Sequence, residues 1–555
     1  MAVKPRSALD LLVPAPREIT HRGALFALDP TRILSGTGER SQAWQALKEP
    51  LLRLPSEGYF LQLADAPSGP QALIAAADEA GERHARTTIA ALLELGDGLV
   101  PACRILDWPE LPLRGTIEGF YGEPWSHSDR LDHLRFSAAC KLNSYFYAPK
   151  DDPYHRERWR EPYPDADLHR LQELATAADR HGLRFVYCLA PGLSMRYSSS
   201  EDHSALLAKA DQLWRIGIRE FALLFDDVPT ELEHPDDAAV FGSAPGSAGA
   251  AQGLLCARFQ ADFLAPRGVT TPLLVAPIDY AGMSGSPYRD RLAGTLPADA
   301  QVFWTGPDIV VGRITGDEAL AAAGSYGRDI VLWDNYPVND FDPARLFLGP
   351  LQGRGAGLAH ATRGIVANPM VEAAPSRFAL ATTADWAWNP AGYDERDSAE
   401  RALLLVAGAS AEDWRPLVAA LSSWPPSAPD DAALQSLADR TLAGEDAARH
   451  ELHARLSALA TAAGALTNDA TDLARQSRPW ILAAEAGARA ALAALDLQDG
   501  AGGSVAHVEE LLREADSHTA KVLRGILPPF VRAVVSTVSA SAGHRRSTAP
   551  RSPAN

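Results

Sequence analysis

From Arg114 to Met370 a two-part unit recurs along the chain: a short run rich in β-branched, aromatic and uncharged residues, then a stretch with apolar residues on one helical face and charge on the other. The runs are RGTIEGFYG (114–122), LNSYFYAPK (142–150), LRFVYCLAP (183–191), residues 220–227, TPLLVAPIDY (271–280), AQVFWTG (300–306), DIVLWDNYPV (329–338) and GIVANPM (364–370). Between them lie stretches such as SDRLDHLRFSAACK and DLHRLQELATAADRHG, which read as amphipathic helices. Strands alternating with helices over this length predict an α/β fold, a (β/α)8 TIM barrel spanning 111–390.

The flanks have a different texture. Residues 1–110 mix strand-like runs such as YFLQL (59–63) with the helical GPQALIAAADEAGERHARTTIAALLEL, and end at DWPELPLRG, where Pro109 and Pro112 mark a linker. This predicts a small α+β domain. Residues 391–540 are rich in Ala and Leu at helical spacing, broken by SSWPPSAPDD near 425, and predict a helical bundle. The last stretch, 541–555, is small, basic and proline-bearing and is expected to be disordered.

A chain of 555 residues with 46% hydrophobic residues has ample material for more than one core. Its charge, 52 basic against 70 acidic residues for a net of −18, argues against a nucleic-acid partner. Cys103, Cys140, Cys188 and Cys256 are far apart and form no CxxC, so they read as buried thiols, with no metal and no cofactor expected. Pro5, Asp10 and Pro14 interrupt the opening MAVKPRSALDLLVPAPREI before an uncharged signal-peptide core can form, and no later run is long and apolar enough for a membrane. The expectation is a cytoplasmic chain with no membrane partner.

A barrel of this kind places its chemistry at the C-terminal tips of its strands. The tips here carry Glu118-Gly119-Phe120-Tyr121, Lys150-Asp151-Asp152, Asp226-Asp227, Asp279-Tyr280, Trp304-Thr305, Trp333-Asp334-Asn335 with Asp340 beyond them, and Asn368. In FALLFDDVP the uncharged Phe221–Phe225 runs straight into two aspartates. An isolated pair of this sort more often caps a helix or answers a nearby arginine. Its setting among Asn, Asp, Trp and Tyr tips suits a sugar instead, since amides and carboxylates bond hydroxyls and aromatic faces cover the C–H side of a pyranose. Adjacent aspartates do not fit the usual pair of carboxylates that flank a glycosidic bond. They do fit a substrate that supplies its own nucleophile, a 2-acetamido group closing to an oxazoline.

The motifs GTIEGFYGEPW, YAPKDDPYHR, LFDDVP, APIDY, WTGP, WDNYPVNDFD followed by RLFLGP, and ANP near 368 resemble, in order, those of glycoside hydrolase family 84. These are β-N-acetylglucosaminidases that include protein O-GlcNAc hydrolases and bacterial enzymes named hyaluronidases. The PAPREI opening and the RTTI stretch at 86 resemble the small domain that precedes the barrel in many N-acetylhexosaminidases. The resemblance implies that Asp226 polarises the acetamide and Asp227 acts as general acid and then base. It implies that Gly119 and Lys150 lie on the 3-hydroxyl side of the sugar, that Asn335, Asp340 and Asn368 take hydroxyls, that Tyr280, Thr305 and Trp333 enclose the acetyl group, and that Tyr121 lines the substrate site. Ala276 departs from several relatives, which have cysteine on the acetamide pocket floor. In that family a helical region like 391–540 can shape the substrate groove or a homodimer.

The function this implies is a retaining enzyme removing terminal β-linked N-acetylglucosamine from a glycan or a glycoprotein, Ser/Thr of proteins included. Two alternatives stand beside it. One is an endo-acting hyaluronan hydrolase, poorly provided for by a rim whose basic residues are Lys150 and Arg196. The other is a non-catalytic glycan-binding barrel, disfavoured by the presence of both aspartates.

Overall fold

The computed structural model describes residues 7–38, 40–47 and 54–547. Its contacts divide into two compact units: the described residues up to Val338 with Leu351–Ala373 and Ala379–Ala402, and a second formed by Asn339–Pro350, Ala374–Phe378 and the chain from Leu403 onward.

The first unit opens with a five-stranded sheet of β1 (Glu18–Ala27), β2 (Ile33–Thr37), β3 (Tyr59–Leu63), β4 (Ala72–Ala76) and β5 (Leu99–Asp107), in the order β1-β5-β3-β4-β2. In β3, YFLQL, alternate side chains are buried, whereas all of β4, ALIAA, is buried. The helix Glu79–Leu95 starts at Asp78, whose side chain accepts from the Gly81 N–H, and lays Ala85, Thr88, Ile89 and Leu92 into the core at spacings of three and four.

After Pro112 the chain enters the barrel: β6 (Leu113–Glu118), β7 (Ser144–Tyr147), β8 (Arg184–Leu189), β9 (Glu220–Leu224), β10 (Leu274–Ala276), β11 (Gln301–Trp304), β12 (Ile330–Asp334) and β13 (Gly364–Ala367). All pair in parallel and the sheet closes through β13 against β6. Every predicted strand is present, in a shorter form. Ile117, Phe146, Val186, Phe303, Val331 and Val366 fill the interior with bulky apolar groups, as a packed barrel requires.

The sheet packs against the N-terminal face of the barrel. At the start of β6 the buried Arg114 pairs with Glu57 at 2.6 Å, and Lys141 reaches Asp107 at 3.2 Å. Asp107 also accepts from the Tyr59 hydroxyl and the Trp388 indole, each at 2.8 Å. Committing this face to cohesion leaves the opposite rim free for chemistry.

The second unit is helical: Ala411–Ala420, Ala432–Leu442, Asp446–Thr467, Asp472–Asp499, Val505–Ser517 and Leu527–Ser547. Leu452, Leu456, Leu459, Ala463 and Leu466 form one buried stripe. The Trp480 indole donates to the Ala344 carbonyl at 2.7 Å, fixing the Asn339–Pro350 segment to its own unit. The tail differs from expectation, because the helix Leu527–Ser547 runs past residue 541; after Pro528 and Pro529 in its first turn, the sequence has no proline before Pro550. The remainder of that tail, 548–555, lies outside the described residues. All four cysteines are free and buried. Among the described residues no helix is long and apolar enough to cross a membrane, and no group of three or more His, Cys, Asp or Glu side chains could hold a metal ion.

Candidate active site

The two aspartates leave β9 by a sharp change of direction. Phe225 still pairs with the next strand, its N–H donating to the Ala276 carbonyl at 2.8 Å. Two residues on, Asp227 has φ +56°, in the left-handed region where most L-residues are disfavoured and Asp is among the tolerated. Neighbouring side chains of a strand face opposite ways. Breaking the strand conformation here lets both carboxylates reach one cluster of side chains, Asp226 meeting Lys150 and Asp227 meeting Tyr121, whose ring lies 5.8 Å from the Lys150 ammonium.

Asp226 turns toward β7. Its carboxylate forms a short ion pair with the Lys150 ammonium, both side chains almost wholly buried. Burial pushes the Asp226 carboxyl up, but the Lys150 charge and hydrogen bond outweigh it and hold the group below the usual carboxylate range. Asp226 is therefore a fixed anion at neutral pH. The Lys150 ammonium lies 5.8 Å from the ring centre of Tyr121 and 5.9 Å from that of Trp333, so the same cation touches both walls.

Asp227 is more open. Its two oxygens accept from two phenols: Tyr121 to Oδ2 at 2.8 Å and Tyr280 to Oδ1 at 2.9 Å. Burial and the Asp227 carboxylate raise the Tyr121 hydroxyl to about 12 and push Tyr280 further above its ordinary value, so both remain donors. Arg156, buried behind them, donates Nη1 to the Tyr121 hydroxyl and Nη2 to the Asp227 main-chain carbonyl, both at 2.9 Å.

A second cluster gathers at β6, β12 and β13. The Trp333 indole donates to Asn335 Oδ1 at 3.1 Å, Asn368 Nδ2 donates to the same oxygen at 3.0 Å, and the Gly119 N–H donates to Asn368 Oδ1 at 3.3 Å. Asn335 spends one N–H on the Ile309 carbonyl at 2.9 Å. A methyl group on Gly119 would come within 2.5 Å of Trp333 Cζ2, so the absence of a side chain there is what admits the indole. Thr305 braces the Tyr280 loop, its N–H donating to the Tyr280 carbonyl at 3.0 Å. Below, Ala276, Leu224, Phe303 and Trp333 make an apolar floor.

Several polar tips are not available to a ligand. Glu118 is buried in a bidentate pair with Arg130, and Asp334 in another with Arg354. Asp152 accepts from the Tyr147 and Tyr163 hydroxyls, and Asp279 from Ser286 and Arg289. These carboxylates hold loops. Asp340 falls in the Asn339–Pro350 segment, which packs as part of the second unit. A neighbour of this cluster to which sequence reading gave no role is Arg156, present in the YAPKDDPYHR motif.

A family model described as beta-N-acetylglucosaminidase matches residues 114–419. The proteins named Protein O-GlcNAcase of Rattus norvegicus and Mus musculus are each 36% identical over 280 residues, 49% of this chain and 30% of theirs. The match thus spans less than a third of the length of those relatives. Among solved structures, CpGH84B superposes with a TM-score of 0.81 at 26% identity, over 94% of this chain and 99% of that one. A mutant of the O-GlcNAc hydrolase of Thermobaculum terrenum gives 0.73 at 28% identity, over 80% and 98%.

Proposed function

The chain belongs to the β-N-acetylglucosaminidase family, and from that premise we propose that it hydrolyses terminal β-linked N-acetylglucosamine with retention, the substrate's own acetamide acting as nucleophile. The observation that carries this reading is the unequal treatment of adjacent carboxylates: Asp226 fixed as an anion by Lys150, Asp227 held by two phenols at the open side.

In the proposed first step the Asp226 carboxylate accepts the acetamide N–H, which drives electron density to the carbonyl oxygen for attack on the anomeric carbon. The C–O bond to the leaving group breaks as Asp227, which enters this step protonated, delivers its proton to that oxygen and is left as the carboxylate. A positive charge then develops on the oxazoline ring beside Asp226, a charge that a preformed anion stabilises without reorganisation. In the second step Asp227 takes a proton from water, the water oxygen bonds to the anomeric carbon, and the ring opens to regenerate the acetamide. An ammonium carries three N–H donors, so Lys150 can keep Asp226 and still reach the 3-hydroxyl. The second N–H of Asn335, with Asn368 and Gly119, is assigned to hydroxyls, while Tyr280, Thr305 and Trp333 close around the acetyl group above Ala276.

Cations at the rim do not favour a polyanion. Lys150 is committed to Asp226, and Arg196 lies 3.7 Å from both Glu201 and Asp202, which supports an exo-acting enzyme over a hyaluronan hydrolase. A protein carrying the sugar through oxygen is the aglycone class suggested by the names of the rat and mouse relatives. Self-association through the helical region is a further proposal, open to sedimentation analysis.

The test is a series of aryl N-acetylglucosaminides whose acetyl methyl carries successively more fluorine. Each fluorine weakens the carbonyl as a nucleophile, so kcat/KM should fall steeply, and Asp226→Asn should retain part of the activity by still orienting the amide. A flat series, or a glycosyl ester trapped on Asp226, rejects substrate assistance.

A further inference from the structure

Asp227 is a non-glycine residue at φ +56°, and its side chain must face a leaving-group oxygen that differs from one substrate to the next. A left-handed residue costs about 1–2 kcal/mol and persists only where its surroundings hold it. One side chain does so. Arg156, 6% exposed, spends one arm of its guanidinium on the Asp227 carbonyl and the other on the Tyr121 hydroxyl, each at 2.9 Å. Tyr121 in turn donates to Asp227 Oδ2 at 2.8 Å, closing a ring of hydrogen bonds from the main chain of Asp227 to its own carboxylate.

We propose that Arg156 is a positioning residue that fixes both the backbone turn and the carboxylate direction of Asp227, so that its proton is aimed at the leaving oxygen. This rests on the functional reading above and deepens it. The rigid fork matters because two acceptors lie in different directions, one a carbonyl and one a phenol. A lysine at this position keeps the charge but presents a single flexible ammonium with no planar fork. The phenol accepting from a cation is also a better donor to Asp227, since chained hydrogen bonds polarise one another. Arg156 touches neither the sugar nor the reacting atoms in this scheme; it acts through Asp227 and Tyr121.

A misaimed acid is felt only when the leaving group needs a proton. Purified wild type, Arg156→Lys and Arg156→Met are compared on aryl N-acetylglucosaminides of graded leaving-group acidity, with binding of free N-acetylglucosamine measured by calorimetry. Both variants should lose about a hundredfold in kcat/KM on the poorest leaving groups, the lower end of what general acid help supplies. On the most activated phenol the loss should stay within about threefold, and sugar affinity within about twofold. An equal loss across the series, or a slope in Arg156→Lys restored to that of wild type, overturns the positioning role of the fork. Should Arg156→Met fail to fold, Arg156→Lys, which keeps stem and charge, decides alone. A wild type that turns over no N-acetylglucosaminide overturns the functional reading itself, a result distinct from an active wild type whose variants lose rate uniformly.

Discussion

At the scale of residues, carboxylates at the strand tips differ in what they are bonded to. Glu118, Asp152, Asp279 and Asp334 stand at strand tips as Asp226 does, yet each is consumed by partners that hold loops. Sequence reading could not sort them, because the partners sit at irregular separations along the chain and only the folded loops bring them together. It singled out the aspartate pair as candidates, since an uncharged strand ending in two acids is visible in one dimension. It gave Arg156 no role because its acceptor, the Asp227 carbonyl, is aimed by a backbone angle that no side-chain pattern records. Asp226 yields a prediction with a definite sign. Its carboxyl is depressed because Lys150 outweighs burial, so activity that needs the anion should persist as pH falls through the ordinary carboxylate range. In Lys150→Met burial loses its main opponent, and the acid limb of kcat/KM should move to higher pH by more than about one unit. The variant also leaves a buried charge without its partner, at a cost of about 3–5 kcal/mol in stability. A pH–rate profile with an unmoved acid limb would remove Lys150 from control of Asp226.

At the scale of elements, all the barrel strands were legible as uncharged runs between amphipathic stretches, and their ends were not. The run at 271–280 yields only Leu274–Ala276 as strand, because Pro272 and Pro277 have no N–H to give a ladder. In the first sheet, β3 showed its alternation plainly, whereas β1, EITHRGALFA, sets Glu, His and Arg among its apolar residues and shifts register against β5, so no clean alternation marked it. What no periodicity could show is how near two strand tips approach. The end of β6 comes so close to the tip of β12 that only glycine fits at 119, and this contact sets the Trp333 wall of the site. Gly119→Ala should push the indole off Asn335 and cost about 1–3 kcal/mol through overpacking, with a fall in kcat/KM of about tenfold or more. Adding Trp333→Phe removes the clashing Cζ2, so the double variant should regain stability in thermal unfolding without regaining activity. If the double variant is no more stable than Gly119→Ala, the clash does not account for the loss.

At the scale of the whole molecule, the sheet and the barrel are held in one unit by charges buried at the face away from the chemistry. Glu57 stands between His84 Nε2 at 2.9 Å and Arg114 at 2.6 Å, while the His84 ring meets the edge of Trp388 with centroids 5.0 Å apart. Burial drives the imidazole down from 6.5 to about 4, so it is neutral when the protein is folded near pH 7. Burial also works against the Glu57 carboxylate, but the hydrogen bond from His84 and the Arg114 charge bring it from 4.5 to about 2. Both groups are depressed in the folded state, so at intermediate pH the unfolded chain binds protons that the folded chain refuses, and stability rises with pH. For His84 that stability is complete above 6.5 and is lost as pH falls through about 4. For Glu57 it is complete above 4.5 and is lost toward about 2. The two windows overlap little, which makes them separable by mutation. His84→Gln cannot take up a proton and can still donate to Glu57. Denaturation of wild type at pH 7 and pH 4.5 should therefore show a loss, on the order of 2–3 kcal/mol, that the variant lacks. Equal losses in the two proteins over that interval would mean that His84 refuses no proton and that the joint between sheet and barrel draws its acid sensitivity from elsewhere.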